Sequence, residues 1–296
     1  MFKNALLEIS NAKILFDEPM KKHTGYGVGG CARYYAQIDS LYSLNSLITL
    51  AKQHKVKYKV IGNGTNILVS DLGFDGIIID TKRLSDVFFK REHVKAMAGA
   101  KLEKLIQFAL DNRLCGLEAF AGIPATIGGA IVMNAGAFGH NISEYVQTVE
   151  TLCDGKIKSY DKSECKFGYR TSRFLNKNEV VISATFNLRS GDREKIIDGI
   201  KSYKDLRRSI QPSGKSCGSV FKNPKPFSAG ALIEGAGLKG KRIGGAVVSE
   251  KHANFIITSS KARAKDVYEL IEQIKQKVKD AFGVELCEEV ECVGEF

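Results

Sequence analysis

Residues 122–139, GIPATIGGAIVMNAGAFG, constrain this chain more than any other stretch. They hold five glycines and four alanines threaded with Ile, Val and Met, and no lysine, arginine, aspartate or glutamate. Glycines spaced in this way let backbone amides come very close to another group, typically a bound phosphate. A nucleotide-hydrolysing P-loop would end in Gly-Lys-Ser/Thr, whereas Gly129 is followed by Ala130 and Ile131. The stretch suits a pyrophosphate cradle that holds a ligand without cleaving it. A tightly packed helix–strand turn in a core fits the same residues equally well.

A second cluster, VIGNGTNILVSD at 60–71, tips that balance. An expected strand over 58–61 runs into Gly62, Asn63 and Gly64, followed by Thr65, Asn66 and Ile67. Such amides and side chains can surround an anion without a formal charge. Taken singly, Asn-Gly is also the commonest hairpin signal. Two cradles in one chain point to a dinucleotide. Neither has the GxGxxG arrangement of a Rossmann unit.

A chain of 296 residues can bury a large core in two or three domains. The N-terminus has only Ala5–Leu7 as an apolar run, and no later run approaches a membrane span, so a cytoplasmic protein with no membrane contact is expected. The seven cysteines (31, 115, 153, 165, 217, 287, 292) include no CxxC pair, which argues for reduced thiols. The five histidines form no HExxH or paired spacing, so no metal is expected. The net charge of +11 raises the question of nucleic acid. Its lysines and arginines are spread along the chain, with no RNA-binding signature, so no nucleic-acid partner is expected. A small polyanionic substrate explains the surplus as well, through field steering.

Alternating helix and strand patterns run throughout. Asp39/Ser40 caps an expected helix with Leu41, Leu44, Leu47, Ile48 and Ala51 on one side. Strands are expected at 57–61 and 76–80, a helix through Leu102–Leu110, strands near 145–152 and 179–188, and a helix over 192–208. Gln211–Lys215 reads as a linker. Beyond it the pattern predicts a strand at 217–222, a short helix at 229–237, strands at 245–249 and 254–258, an amphipathic helix over 261–280 and a final strand at 284–293. The result is a small α+β domain after a larger one.

Three further stretches carry reactive groups. FGYRTSRF at 167–174 offers Tyr169 and Arg170, the latter able to clamp a carboxylate or to form a surface ion pair. CGSVFKNP at 217–224 sets Ser219 near Lys222 and Asn223, without the GxSxG elbow of acyl transfer. In the tail, LCEEVECVGEF at 286–296, strand alternation sets Glu289 opposite the apolar face. Taken alone, that glutamate reads as part of a solvated strand edge.

In order, VGG at 28–30, GNGTN at 62–66, GIPATIGGAIVMNAGAFG, FGYR, GSVFKNP, GLKG at 237–240, KHANF at 251–255 and the terminal EEV resemble the UDP-N-acetylenolpyruvoylglucosamine reductases. The resemblance covers residues 24 to 294. It implies an α+β, FAD-binding fold of the vanillyl-alcohol-oxidase (PCMH) type with two subdomains, plus a small α+β substrate-binding domain. The implied division is 1–80 with the tail 284–296, 81–208, and 209–283. It implies non-covalent FAD, NADPH as hydride donor, and UDP-N-acetylglucosamine enolpyruvate as the substrate, reduced to UDP-N-acetylmuramate for peptidoglycan synthesis. A monomer is favoured.

By motif match Ser219 is the proton donor, with Arg170 and Glu289 stabilising an enol intermediate. The implied cofactor-binding residues are Gly62, Asn63, Gly64, Thr65, Asn66, Ile67, Gly122, Ile123, Pro124, Gly128, Gly129, Ala130, Asn134 and Gly136. Tyr169, Arg207, Asn223, Lys239 and His252 fall where the family contacts substrate. There is no room between Arg170 and Ser219 for the tyrosine-bearing loop of the family's longer class. Two positions depart from the family pattern: Cys287 stands where an acid is usual, and Glu291 where a base is usual. Two alternatives remain at this stage: another FAD-linked oxidoreductase of the same fold, and a nucleotide-binding regulator with a basic surface.

Overall fold

The computed structural model describes residues 2–90, 93–175 and 178–296. It divides into two compact units, one of Met1–Leu15, Tyr35–Asn63 and Gly76–Arg207, the other of Phe16–Tyr34, Gly64–Asp75 and Arg208–Phe296.

In the first unit the expected helix forms at Leu41–Gln53, its first turn closed by Ser40, whose Oγ accepts from the Ser43 amide at 3.1 Å. It buries Leu44, Leu47, Ile48 and Ala51, the face its spacing predicted. The chain then enters the strand Lys57–Ile61, which pairs in parallel with Phe74–Asp80. Ile77, Ile78 and Ile79 are all fully buried, as expected of a strand covered on both faces. A five-stranded antiparallel sheet follows the order Lys156–Asp161, Val146–Cys153, Val180–Phe186, His93–Met97 and Val87–Lys90. Helices Leu102–Asp111 and Ile127–Val132 supply Leu105, Ile127 and Ile131 to the core that also holds Phe120 and Phe186.

In the second unit a three-stranded sheet of Arg242–Ile243, Ala246–Val248 and Ile256–Thr258 shares its core with the helix Ala264–Phe282. That helix buries Val267, Leu270, Ile271, Ile274 and Val278. Gly283 ends it in the left-handed conformation, φ 68°. The helix starts three residues later than its pattern suggests because a distant side chain sets its first turn. The two Asp71 carboxylate oxygens accept from the amides of Ala264 and Lys265, each at 2.9 Å.

Two expected strands are corrected. Residues 217–222 make only isolated bridges, Ser219 with Phe255 and Phe221 with Glu288. A side chain takes the place of a neighbouring strand there: Asn254 accepts from the Phe221 amide at 2.9 Å and donates to the Phe221 carbonyl at 2.8 Å. The final strand is only Glu291–Val293, parallel to Ile67–Val69. Upstream of it the amides of Glu289 and Val290 both turn to the Val220 carbonyl, at 2.7 and 3.4 Å, which breaks the alternation assumed for 284–293.

Candidate active site

The two glycine clusters meet inside the first unit. The strand Lys57–Ile61 delivers Gly62 and Asn63, and the Asn63 carboxamide donates to the Pro124 carbonyl at 2.9 Å, 61 positions along the chain. A side chain at Gly62 would collide with the Thr126 hydroxyl. Gly122 has φ 83°, and a Cβ there would lie 3.3 Å from Arg207 Cδ. From Ile123 and Pro124 the chain enters the helix Ile127–Val132, in which Ala130 is buried.

Gly128 and Gly129 are glycines for different reasons. A Cβ at Gly128 would lie 3.1 Å from the Ala98 Cβ and 3.2 Å from its carbonyl, tighter than ordinary van der Waals contact, so close packing favours glycine here. A Cβ at Gly129 would meet only the Thr126 hydroxyl, at 3.6 Å, an ordinary contact. Its φ needs no glycine, yet a helical glycine costs about 1 kcal/mol relative to alanine. The Ile127 amide donates to Ala100 O and the Gly128 amide to Ala98 O, each at 2.8 Å, while the Gly129 amide has no acceptor among the described residues. An open glycine with an available N–H has the features of a diphosphate contact. The cradle fits a dinucleotide pyrophosphate.

The far end of the cradle holds Arg170. Gly168 and Thr171 exchange backbone hydrogen bonds of 3.0 and 3.3 Å around Tyr169 and Arg170. Arg170 takes φ 52°, a left-handed conformation that favours glycine and costs an arginine about 1 kcal/mol or more. Two ties keep the turn on the cradle: Asn134 Nδ2 donates to Gly168 O at 2.9 Å, and Ser172 Oγ to Val132 O at 2.7 Å. Asn134 is 4% exposed and its Oδ1 accepts from the Ser143 amide, so its side chain faces the protein. A Cβ at Gly136 would lie 2.8 Å from Arg170 Nη1, so the glycine makes room for the guanidinium. Tyr169 is exposed, its ring 5.5 Å from the Arg170 Cζ. Arg207 donates through Nε to Ala121 O at 3.1 Å and stands over the Phe138 ring at 5.1 Å. Burial pulls its pKa down from the usual arginine value.

The second unit carries the rest of the GNGTN cluster and the remaining predicted groups. Gly64 has φ 65°, and its carbonyl accepts from the Gly25 amide at 2.9 Å. Thr65 and Asn66 lead into the buried strand Ile67–Val69. Ser219 follows Gly218, whose φ of 75° turns the chain, and its hydroxyl has no hydrogen-bond partner among the described residues. Glu289 is half-buried, and its amide donates to Val220 O, one residue past that serine. Lys222 is anchored by its amide to Cys287 O at 2.9 Å. Both departures from the family pattern, Cys287 and Glu291, thus lie where backbone atoms hold the tail. The Glu291 amide donates to Asn66 O at 3.0 Å.

Asn223, Lys239 and His252 gather around the helix Ala229–Gly235. Asn223 Oδ1 accepts from the Ala229 amide at 3.0 Å, Lys239 pairs with Glu234 at 2.7 Å, and a Cβ at Gly230 would lie 3.3 Å from His252 Cε1. Burial lowers the His252 pKa, and nearby Lys239 acts the same way. The ring is therefore neutral at pH 7. Its Nδ1 accepts from the Asn254 amide at 3.2 Å, so Nε2 carries the proton as a donor. The motif reading missed Asn254, Asp71 and the clamping role of Asn66. Each acts through a long-range contact that no local pattern marks.

Comparison with known proteins gives the fold as α+β, of the FAD-binding, vanillyl-alcohol-oxidase (PCMH) type. An FAD binding domain family matches residues 32–160, and the family described as UDP-N-acetylenolpyruvoylglucosamine reductase, C-terminal domain, matches 211–293. The chain is 42% identical over 295 residues to a UDP-N-acetylenolpyruvoylglucosamine reductase 1 of Bacillus thuringiensis subsp. konkukian, covering 98% of each. It is 42% identical over 289 residues to the reductase of Caldanaerobacter subterraneus subsp. tengcongensis, covering 97% of this chain and 96% of that one. The crystal structure of UDP-N-acetylenolpyruvylglucosamine reductase from Thermus caldophilus superposes with a TM-score of 0.82 at 34% identity, over 96% of this chain and 99% of that one. Physcomitrella patens BBE-like 1 shares the fold alone, with a TM-score of 0.59 at 11% identity, over 95% and 88% of the two chains. The chain belongs to the UDP-N-acetylenolpyruvoylglucosamine reductase family.

Proposed function

We infer that the chain is an FAD-containing, NADPH-dependent oxidoreductase that reduces the enolpyruvyl double bond of UDP-N-acetylglucosamine enolpyruvate to give UDP-N-acetylmuramate. The observation that carries this reading is Gly129: an open glycine with an available amide, in the cradle of a chain that matches the family over its length. Bound FAD supplies the two-electron chemistry between NADPH and the alkene.

The residues divide the remaining work. We assign Gly62, Asn63, Gly64, Thr65, Ile67 and the Gly122–Gly136 segment to the cofactor, and among them Gly129 to its pyrophosphate; the Asn66 side chain is directed instead at the Glu289 carbonyl. Reduction of the alkene requires one proton at the carbon beside the carboxylate, and Ser219 is our assigned donor. Its hydroxyl has no partner among the described residues, which supports the role. A serine is a weak acid in water, so a cation, Arg170 or Lys222, is assigned to lower the cost of a transient alkoxide. Arg170 and Glu289 are assigned to the charge that develops on the enol and its carboxylate, where fixed donors and shared protons act most strongly. The strain at Arg170 supports that assignment, since strained residues cluster at functional sites.

Tyr169, Arg207, Asn223, Lys239 and His252 are assigned to the UDP-sugar. We assign 1–80 with the tail 284–296, and 81–208, to the FAD-binding subdomains, and 209–283 to the substrate; the matches at 32–160 and 211–293 support the separation of a C-terminal part after residue 208. A cytoplasmic monomer completes the proposal; the lack of a CxxC pair among the seven cysteines supports a reducing compartment. Anaerobic titration tests the reading. A yellow preparation should bleach with NADPH and regain its flavin spectrum only on addition of UDP-N-acetylglucosamine enolpyruvate. A colourless, folded preparation that takes up no FAD would refute it.

A further inference from the structure

Asn66 lies in the cofactor cluster, yet its hydrogen bonds run to the tail. Its Nδ2 donates to the Glu289 carbonyl at 3.0 Å, 223 positions along the chain. Its own carbonyl accepts from the Glu291 amide, also at 3.0 Å. One residue therefore grips the backbone on both sides of Val290. From there the tail continues as a parallel strand, Glu291 beside Ile67 through Val293 beside Val69, so the grip is the first rung of a ladder. On its other side the Glu289 amide is bound to Val220 O. Glu289 is suspended between two backbone anchors, one leading to Ser219 and the other to the end of the GNGTN cluster.

We propose that Asn66 is a positioning residue for Glu289, holding the catalytic tail in place from the cofactor loop. The proposal rests on the role assigned to Glu289 above. An asparagine at this position can be read as an anion ligand, but its carboxamide nitrogen is already directed at a protein carbonyl. Substituting the side chain removes the bond to Glu289 and leaves the bond from Glu291, since the latter uses the backbone. The expected consequence is a displaced glutamate in an otherwise intact fold. Misplacement of a catalytic group by about 1 Å can cost a hundredfold in rate.

A double-mutant cycle in the FAD-loaded enzyme separates the possibilities, with each half-reaction measured anaerobically. Asn66→Ala should keep its flavin, be reduced by NADPH within about twofold of the wild-type rate, and be slowed about ten- to a hundredfold in reoxidation by substrate. In a Glu289→Gln background the same substitution should add less than about twofold, because its effect passes through Glu289. Hydrogen exchange supplies a readout beside activity: amides at 287–291 should exchange about five- to tenfold faster in Asn66→Ala. Full additivity of the two substitutions, or unchanged exchange at 287–291, would overturn the proposal. Loss of flavin from Asn66→Ala would overturn it too, by making the side chain a cofactor ligand. Unchanged reoxidation in Glu289→Gln alone would instead refute the assignment of Glu289. Should Asn66→Ala fail to fold, Asn66→Asp keeps the shape, removes the donor and should give the same pattern.

Discussion

The cradle of the first unit and the Ser219–Glu289 segment of the second are built by opposite means. In the cradle the work is done by regular elements that end at the right place. A parallel strand stops at Gly62, and a short helix presents Gly129. In the second region the backbone is irregular, and asparagine side chains hold it, Asn254 on Phe221 and Asn66 on Glu289. A diphosphate needs only repeated N–H groups, which regular backbone supplies. A proton donor and an enol partner need individually aimed side chains. Single, fully specified contacts supply those.

That contrast predicts different failures in the two regions. The largest effect should come from Gly129→Val: a branched side chain occupies the space left open beside the free amide, and the protein should purify as colourless, folded apoprotein. The alanine pair sharpens this. Gly128→Ala should destabilise by about 1–3 kcal/mol through overpacking against Ala98. Gly129→Ala should leave apoprotein stability equal or up to about 1 kcal/mol higher while weakening FAD. Thermal unfolding of the apoproteins beside flavin titration checks both. If Gly129→Ala destabilised the apoprotein as much as Gly128→Ala, its glycine would be a packing residue.

In the second region Asn254→Ala leaves the buried Phe221 amide and carbonyl without partners. A loss of about 2–4 kcal/mol is expected in denaturant unfolding. Asp71→Ala removes the remote cap of the helix Ala264–Phe282 and should cost about 1 kcal/mol. Smaller still is a pH effect. Burial holds the His252 pKa below its ordinary value, so the folded state favours the neutral ring. The stability this contributes is complete above pH about 6.5 and declines as pH falls through the depressed folded value. Relative to wild type, His252→Gln should flatten the acid side of the melting-temperature profile. A profile unchanged by the substitution would remove His252 from that dependence.

The contrast also explains what could be read from sequence. The helix Leu41–Gln53 was legible because its period and cap are local, and the helix Ala264–Phe282 because its period is, although its start is set by the distant Asp71. The glycine clusters were legible as segments of close approach, as at Gly62, where a Cβ would meet the Thr126 hydroxyl, and at Gly64, where it would meet the His23 carbonyl. That they touch each other, through Asn63 and Pro124, was not, since contact across 61 positions leaves no periodic trace. Residues 217–222 alternate like a strand but lack a continuous strand neighbour, because a carboxamide replaces one. Lys156–Asp161, mostly exposed, lies at the edge of its sheet and shows no apolar alternation at all. For Ser219, Arg170 and Glu289 local chemistry was silent, and only the ordered motifs of the family singled them out.

The division of labour between the two regions is tested most directly by measuring both half-reactions of Ser219→Ala in a stopped-flow instrument. The cofactor cradle is untouched by this substitution, so flavin content and reduction by NADPH should stay within about twofold of wild type. Reoxidation by UDP-N-acetylglucosamine enolpyruvate should slow by at least about a hundredfold, the scale expected for losing a positioned acid. Equal slowing of both halves, or reoxidation at the wild-type rate, would contradict the account.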